Sequence, residues 1–258
     1  MISKKTTKRS PTNQTYFYSG TGNTFLIQYR DTAAEIKKKP TENEMVMLCR
    51  KHKADGFVII NKSDKKVYWD FLNNDGSFAA FCGNAARCVA DLLFKKTGKS
   101  TVQFTADRLK VKGTKKPGNQ VSVRFTKKIV KKSIQLKLNA STTVPGTFLD
   151  SGVPHFVVMT EKNKNLAGKI RKHPYFGKGG TNVTFVDKYS DFKMDAITFE
   201  RGVEDFTLAC GTGAIAAAAA LGSKKTLIKM PGGVLNVEIN KNEIILTGKV
   251  SLLKKINI

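Results

Sequence analysis

Two cysteines are each followed by glycine and by a run of residues typical of a helix: Cys82 in FCGNAARCVADLL (81–93) and Cys210 in ACGTGAIAAAAAL (209–221). Unpaired N–H groups and the helix dipole favour negative charge at a helix start. We therefore expect both positions to lower the thiol pKa and to bind an anion. Two such helix starts face to face would hold one carboxylate, with a thiol on each side of the carbon that carries it. That arrangement predicts removal of a proton from one face of a carbon and its return to the other.

An internal duplication indicates how the chain positions these cysteines. YFYSGTGNTFLI (16–27) is similar to TFLDSGVPHFVV (147–158), and a Cys-Gly segment follows each about sixty residues later. Most of the remaining sequence alternates apolar and polar residues as strands do, and the second Cys-Gly helix is apolar on all sides, as a buried helix is. We therefore predict an α+β fold of two pseudo-symmetric lobes. Each lobe is a curled, mostly antiparallel sheet around a central helix, and the lobes meet at the helix N-termini.

The same pattern sets the predicted boundaries. The N-terminal lobe, 16–130, carries Cys82, and the C-terminal lobe, 131–250, carries Cys210. Residues 1–15 are polar and basic without an acidic residue. We interpret them as a disordered extension in preference to an organelle-targeting segment.

The charge of the chain is strongly positive: 45 Lys and Arg against 20 Asp and Glu give +25 over 258 residues. Such a balance raises the possibility of nucleic-acid binding. The lysines, however, fall on the polar positions of segments with strand alternation, such as SIQLKL (133–138), and no RNA-binding signature accompanies them. A lysine-rich surface is the preferred interpretation, and a basic nucleic-acid-binding protein stays as a remote alternative.

Cysteine and histidine usage favours a reduced, cytoplasmic protein. No secretory signal or apolar run of membrane-spanning length is present, so we expect no membrane partner and no disulfide framework. We interpret Cys49 and Cys88 as buried small apolar residues. The three histidines, His52, His155 and His173, form no cluster with metal-ligand spacing, and we expect no metal site.

Motifs along most of the chain resemble those of the diaminopimelate epimerase family. In order, they are SGTGNTF (19–25), ADGF (54–57), NNDGS (73–77), CGNAARC (82–88), SGVPHFVV (151–158), GTNVTF (180–185), FERGVEDFTLACGTGA (199–214) and MPGG (230–233). The resemblance implies the two-lobed fold above, with the last strand (about 251–258) returning to the first lobe. It also implies a homodimer and a reaction without pyridoxal phosphate, metal or nucleotide.

Roles follow from the resemblance position by position. Cys82 and Cys210 correspond to the two catalytic cysteines, and His155 to an auxiliary residue near them. The amides that hold the carboxylate of the reacting centre correspond to Gly83, Asn84, Gly211 and Thr212. Further substrate contacts correspond to Asn23, Asn73, Asn182, Glu200 and Arg201.

The implied reaction is interconversion of LL- and meso-diaminopimelate for lysine and peptidoglycan biosynthesis. The sequence departs from the family at Val153, where asparagine is usual and contacts the far end of the substrate, at Thr24, where aspartate is usual, and at Ala85, where glycine is commoner. A racemase of broader scope, acting on glutamate, lysine or histidine, is therefore the alternative. A different isomerase with the same fold is less favoured, because such relatives need not keep both cysteines.

Overall fold

The computed structural model describes residues 14–63, 66–78, 80–190 and 192–257. Its strands are β1 (Gln14–Gly20), β2 (Asn23–Arg30), β3 (Gly56–Lys62), β4 (Val67–Asn73), β5 (Thr101–Ala106), β6 (Leu109–Lys116), β7 (Gln120–Thr126), β8 (Lys131–Lys137), β9 (Thr143–Asp150), β10 (Pro154–Val158), β11 (Asn182–Ser190), β12 (Lys193–Glu200), β13 (Asp205–Phe206), β14 (Lys225–Met230), β15 (Gly233–Asn240) and β16 (Glu243–Asn257). The helices are α1 (Ala33–Lys37), α2 (Glu42–His52), α3 (Gly83–Thr97), α4 (Lys164–Arg171) and α5 (Gly211–Ala220), and a 3₁₀ turn covers Pro174–Phe176.

The first lobe is a closed ring of strands around α3. Strands β1 to β7 pair in sequence order, and β7 pairs with the first half of β16, from Glu243 to Lys249. The second half of β16 then pairs with β1, from Gly20↔Val250 to Gln14↔Asn257. Ring closure leaves β1 with a partner on each side, so its edge is not open to further pairing.

The second lobe curls a sheet around α5 in the same way, but no pairing among the described residues closes it into a ring, and β8 is its edge strand. Its strand order is β16-β15-β14-β12-β11-β10-β9-β8, with β13 paired to β12. In both lobes a parallel pair precedes the central helix, β2 with β3 in the first and β10 with β11 in the second. The prediction of a two-lobed α+β fold is therefore confirmed.

The start of β1 differs from the sequence prediction. Gln14 and Thr15, which we placed in the extension, belong to β1, because they pair with the end of β16 and Thr15 accepts a hydrogen bond from Gln28 at 2.9 Å. Residues 1–13 of the predicted extension lie outside the described residues.

Both central helices form where the sequence predicts them, and both are packed on all sides. Helix α3 ends at Gly98, which takes the left-handed conformation (φ 72°) that suits glycine at a helix end. Small residues bring the surrounding strands close: a Cβ on Gly113 of β6 would lie 2.5 Å from Cβ of Ala90. Helix α5 is buried from Gly211 to Ala218 because its side chains are mostly methyl groups.

The two helices meet end to end at their N-termini. A Cβ added to Gly211 would lie 3.4 Å from Cα of Gly83, and a Cβ on Gly83 would lie 2.5 Å from Cδ2 of Leu246 on β16. Leu246 is fully buried and packs against both helix starts. One apolar core therefore runs through both lobes and fixes the distance between the helix ends.

We expect Leu246→Ala to lower the free energy of unfolding by about 2–5 kcal/mol, because it opens a cavity beneath both helix starts. Urea denaturation followed by circular dichroism measures this loss. Leu253→Ala is the control: Leu253 lies on the same strand but is 51% exposed, and its loss should stay within about 0.5 kcal/mol. Equal losses in the two variants would show that Leu246 does not support the helix starts.

Candidate active site

A cavity of about 610 Å³ opens where the two helix starts meet. Strands and loops of both lobes line it, so neither lobe forms it alone. Eleven of the residues predicted from the sequence line this cavity: Asn23, Asn73, Cys82, Gly83, Asn84, Asn182, Glu200, Arg201, Cys210, Gly211 and Thr212.

Cys82 occupies the position immediately before α3 and is half-buried. Burial raises the pKa of its thiol to about 11, and the negative charge of Glu200 adds to the rise. The amides of Ala85 and Asn84 and the positive charge of Arg87 oppose that rise. A thiol is therefore the resting form of Cys82 at neutral pH.

Cys210 occupies the same position before α5 and is buried. Its Sγ accepts a hydrogen bond from the amide of Gly213 at 3.3 Å and lies 3.4 Å from the hydroxyl of Thr212. Burial raises the pKa of the Cys210 thiol well above its usual value, followed by the charge of Glu200, and these two contacts only partly offset the rise.

The predicted lowering of the thiol pKa values is therefore wrong for the ligand-free protein. The helix-start amides act in the expected direction at both cysteines. Desolvation acts in the opposite direction and is larger, because each lobe covers the helix start of the other and reduces the contact of the thiols with water.

His155 lies one layer behind the cavity and is fully buried. Its Nε2 is 3.0 Å from Oγ1 of Thr212, and its Nδ1 is 2.9 Å from Oγ1 of Thr184. Burial lowers the pKa of His155 to about 3, so the ring is neutral at physiological pH. The histidine thus reaches Cys210 through the Thr212 hydroxyl and has no direct contact with the cavity.

An acidic and a basic residue, Glu200 and Arg201, follow one another where β12 ends. Glu200 accepts a hydrogen bond from the Thr207 hydroxyl at 2.5 Å. Burial raises the pKa of Glu200, and hydrogen bonds from Thr207 and Cys210 partly offset that rise. The backbone amide of Arg201 donates to Oδ1 of Asn182 at 2.8 Å, while the Arg201 side chain is exposed to the cavity.

Asn182 therefore connects two sides of the cavity. Its Nδ2 donates to the carbonyl of Pro154 at 3.1 Å, next to Val153, and its Oδ1 holds the start of the Arg201 loop. Asn73 donates to the hydroxyl of Ser77 at 2.9 Å at the opposite wall.

Sequence reasoning gave no role to Asp55, although it lies within the ADGF motif. Its Oδ2 accepts hydrogen bonds from the Thr24 amide at 2.7 Å, from the Thr24 hydroxyl at 3.2 Å and from Nδ2 of Asn23 at 3.4 Å. Asp55 thus holds the loop that carries Asn23 at the rim of the cavity.

Arg87 was also missed, although the CGNAARC motif contains it. Its side chain is fully buried behind the first turn of α3. The motif did offer a signal, because it places a charged residue between small and apolar residues five positions after Cys82.

No group of three or more His, Cys, Asp or Glu side chains in residues 14–63, 66–78, 80–190 and 192–257 is arranged to hold a metal ion. Within the same residues, no helix has the length and apolar content needed to cross a membrane.

Comparisons with known proteins identify the family of the chain and support its fold. The family model described as diaminopimelate epimerase matches residues 147–253. The chain is 34% identical to the diaminopimelate epimerase of Hydrogenobaculum sp., over 90% of this chain and 93% of the relative. It is 33% identical to that of Aquifex aeolicus, over 90% and 92%. A solved structure of a predicted epimerase from Pseudomonas aeruginosa superposes with a TM-score of 0.72 at 11% identity, over 95% of this chain and 98% of that one, and supports the fold alone.

The burial of neutral His155 predicts a loss of stability in acid. The unfolded chain takes up a proton near pH 6.5, whereas the folded protein does so only near pH 3, so the stability present above pH 6.5 is lost as the pH falls. Between pH 7.5 and pH 5.0 we expect the wild-type protein to lose about 2 kcal/mol more than His155→Asn does. Urea denaturation at both pH values measures the difference. His173→Asn is the control. If wild type also lost about 2 kcal/mol more than His173→Asn between these pH values, the assignment to His155 would be contradicted.

Proposed function

The chain belongs to the diaminopimelate epimerase family, and on that basis we propose that it interconverts LL- and meso-diaminopimelate through Cys82 and Cys210. The observation that carries the proposal is the pair of cysteines that precede two helices whose N-termini meet in one cavity. Such an activity would supply precursors for lysine and peptidoglycan.

The proposed reaction has two proton transfers. One cysteine, as thiolate, takes the proton from the α-carbon, and the other, as thiol, donates a proton to the opposite face of that carbon. The first cysteine ends as thiol and the second as thiolate, so the product-bound enzyme is poised for the reverse reaction. Proton exchange with solvent restores the starting state. Acid and base both come from the protein, so the proposed reaction needs no pyridoxal phosphate.

The carboxylate of the reacting centre would bind between the helix starts. The amides of Gly83, Asn84, Gly211 and Thr212 belong to the first turns, whose N–H groups have no intrahelical acceptor. These donors would also stabilise the negative charge that develops on the carboxylate as the α-proton leaves.

Formation of a thiolate requires a proton acceptor, because burial favours the neutral thiols. Glu200 provides an acceptor, because its carboxylate lines the same cavity as Cys210 and its charge acts on both cysteines. Because the Glu200 carboxylate is itself buried, proton transfer from Cys210 moves charge within the cavity and creates no additional charge.

The other end of the substrate would meet Arg201, Asn73 and Asn182. The guanidinium group of Arg201 can bind both oxygens of a carboxylate at once. Val153 lines the same cavity next to Pro154, whose carbonyl accepts from Asn182, and its side chain there is apolar. A cytoplasmic location and a homodimer, both expected from the sequence, remain predictions.

A racemase of broader scope is the second candidate, and Val153 is the observation that favours it. A lost hydrogen bond to a charged group costs about 1.5–3 kcal/mol. Valine at this position would therefore reduce the difference in binding free energy between diaminopimelate and glutamate, lysine or histidine. Comparison of kcat/KM for the four amino acids decides between the candidates. A higher value for any of the three would favour the broader racemase.

The two-thiol mechanism predicts that Cys82→Ala and Cys210→Ala fold but do not epimerise diaminopimelate. The wild-type protein in D2O should incorporate deuterium at the α-carbon without added cofactor, as measured by NMR and chiral chromatography. Cys49→Ala and Cys88→Ala are the controls, and their activity should stay close to wild type apart from modest packing losses. Full turnover by either Cys82→Ala or Cys210→Ala would contradict the mechanism.

The substrate assignment predicts that Val153→Asn raises kcat/KM for diaminopimelate by up to about tenfold, which corresponds to about 1.4 kcal/mol. The added amide would replace the polar contact that valine lacks. Val153→Leu is the matched control, because leucine has nearly the shape of asparagine without its polar atoms. An equal rise in the two variants would assign the effect to shape rather than to the hydrogen bond.

A further inference from the structure

Arg87 is a fully buried cation whose partners among the described residues carry no charge. Its Nη2 donates to Oγ1 of Thr21 at 2.9 Å and to Oδ1 of Asn84 at 2.8 Å, and its Nη1 donates to the carbonyl of Gly83 at 3.4 Å. Its Nε has no hydrogen-bond partner in the part of the chain that the structure describes. Desolvation lowers the pKa of Arg87 to about 10, which still leaves it protonated at neutral pH.

A buried cation without a counter-ion is costly, so an arginine in this place needs an anion. The groups on which its charge acts are the thiols of Cys88 and Cys82. Cys88 is buried within α3, and its pKa is raised by desolvation, so it stays neutral. Cys82 faces the cavity, where Glu200 opposes its ionisation and Cys210 stands on the opposite helix start.

Arg87 also sets the orientation of Asn84. Because Oδ1 of Asn84 accepts from Arg87, its Nδ2 points the other way and donates to Oδ1 of Asn23 at 2.5 Å and to the carbonyl of Ala209 at 3.2 Å. Ala209 directly precedes Cys210 in the second lobe. The guanidinium group is thus connected to both helix starts through a single amide.

We propose that Arg87 is the fixed counter-charge of the active site, a positioning residue that stabilises the thiolate of Cys82 and the substrate carboxylate without touching the reacting carbon. The carboxylate part rests on the proposed function, whereas the thiolate part does not. The cost of burying Arg87 is offset when one of these anions is present. The site therefore favours formation of the Cys82 thiolate and binding of the substrate carboxylate.

Arg87→Gln and Arg87→Lys are the matched pair that tests this proposal. Both variants lose the guanidinium fork, but only lysine keeps the charge. The measurement is the rate at which iodoacetamide alkylates Cys82 between pH 7 and pH 9 in the ligand-free protein, followed by peptide mass spectrometry. We expect Cys82 to react about tenfold more slowly in Arg87→Gln than in wild type, because about tenfold less of it is thiolate at a given pH. In Arg87→Lys we expect the rate to stay within about threefold of wild type. Equal rates for the two variants would overturn the proposal.

Two controls separate charge from packing. Arg30→Gln removes another buried guanidinium group, bonded to Gln28 and to backbone carbonyls of Glu35 and Lys38, and should leave Cys82 reactivity within about twofold. Thr21→Val removes one acceptor of Arg87 and keeps its charge, so the rate should again be unchanged. A tenfold loss in Thr21→Val would show that hydrogen-bond geometry determines the reactivity, and would refute the proposal even if Arg87→Gln does not fold.

The carboxylate part is measured with meso-diaminopimelate as a protecting ligand. The concentration that halves the alkylation rate should be at least about tenfold higher in Arg87→Gln than in wild type and less changed in Arg87→Lys. Equal protection in all three proteins would overturn this part. If diaminopimelate protects none of them while the ligand-free difference persists, the proposed substrate fails and the effect of Arg87 on Cys82 stands.

Discussion

The contact between the starts of α3 and α5 is the constraint on which the site depends. Glycine at positions 83 and 211 lets the two backbones approach each other over Leu246, whose Cδ2 would lie only 2.5 Å from a Cβ on Gly83 and 3.2 Å from a Cβ on Gly211. Two positive helix ends repel each other, so their approach must be held by other forces. The continuous apolar core beneath them, with Leu246 at its centre, and the bond from Asn84 to the carbonyl of Ala209 supply those forces.

The close contact between the two helix starts also explains why the thiols lie where an anion is favoured and yet are neutral in the ligand-free protein. Bringing the lobes together concentrates N–H donors and cationic charge around one cavity, and it also removes water from Cys82 and Cys210. Desolvation is the larger effect on the pKa of both thiols. Neutral His155 and the hydroxyl of Thr212 line the far side of Cys210 without adding charge. The site therefore combines strong local fields with little net charge, which is a condition for moving a proton between two buried groups.

The sequence allowed the two lobes, both central helices and the cavity residues to be predicted, because glycine-bounded helix starts, alternation and duplication are local patterns. What it did not reveal depends on contacts between distant segments. The direction of the thiol pKa shifts is set by burial across the lobe interface. Gln14 and Thr15 become strand residues only through pairing with the far end of β16. Asp55 and Arg87 stood in recognised motifs, but their roles depend on which groups face them, and spacing does not show that.

Strand β16 imposes an order on the biosynthesis of the fold. Residues 14–20 emerge from the ribosome before the rest of the first lobe, and their partners at 250–257 emerge only after the second lobe has been synthesised. Domains commonly fold during translation from the N-terminus onward, but here the first lobe has an unpaired edge until translation reaches the end of β16. The open edge of β1 must therefore be kept from pairing with other strands while the second lobe is synthesised. A ribosome that stalls before residue 250 would leave the first lobe open along β1.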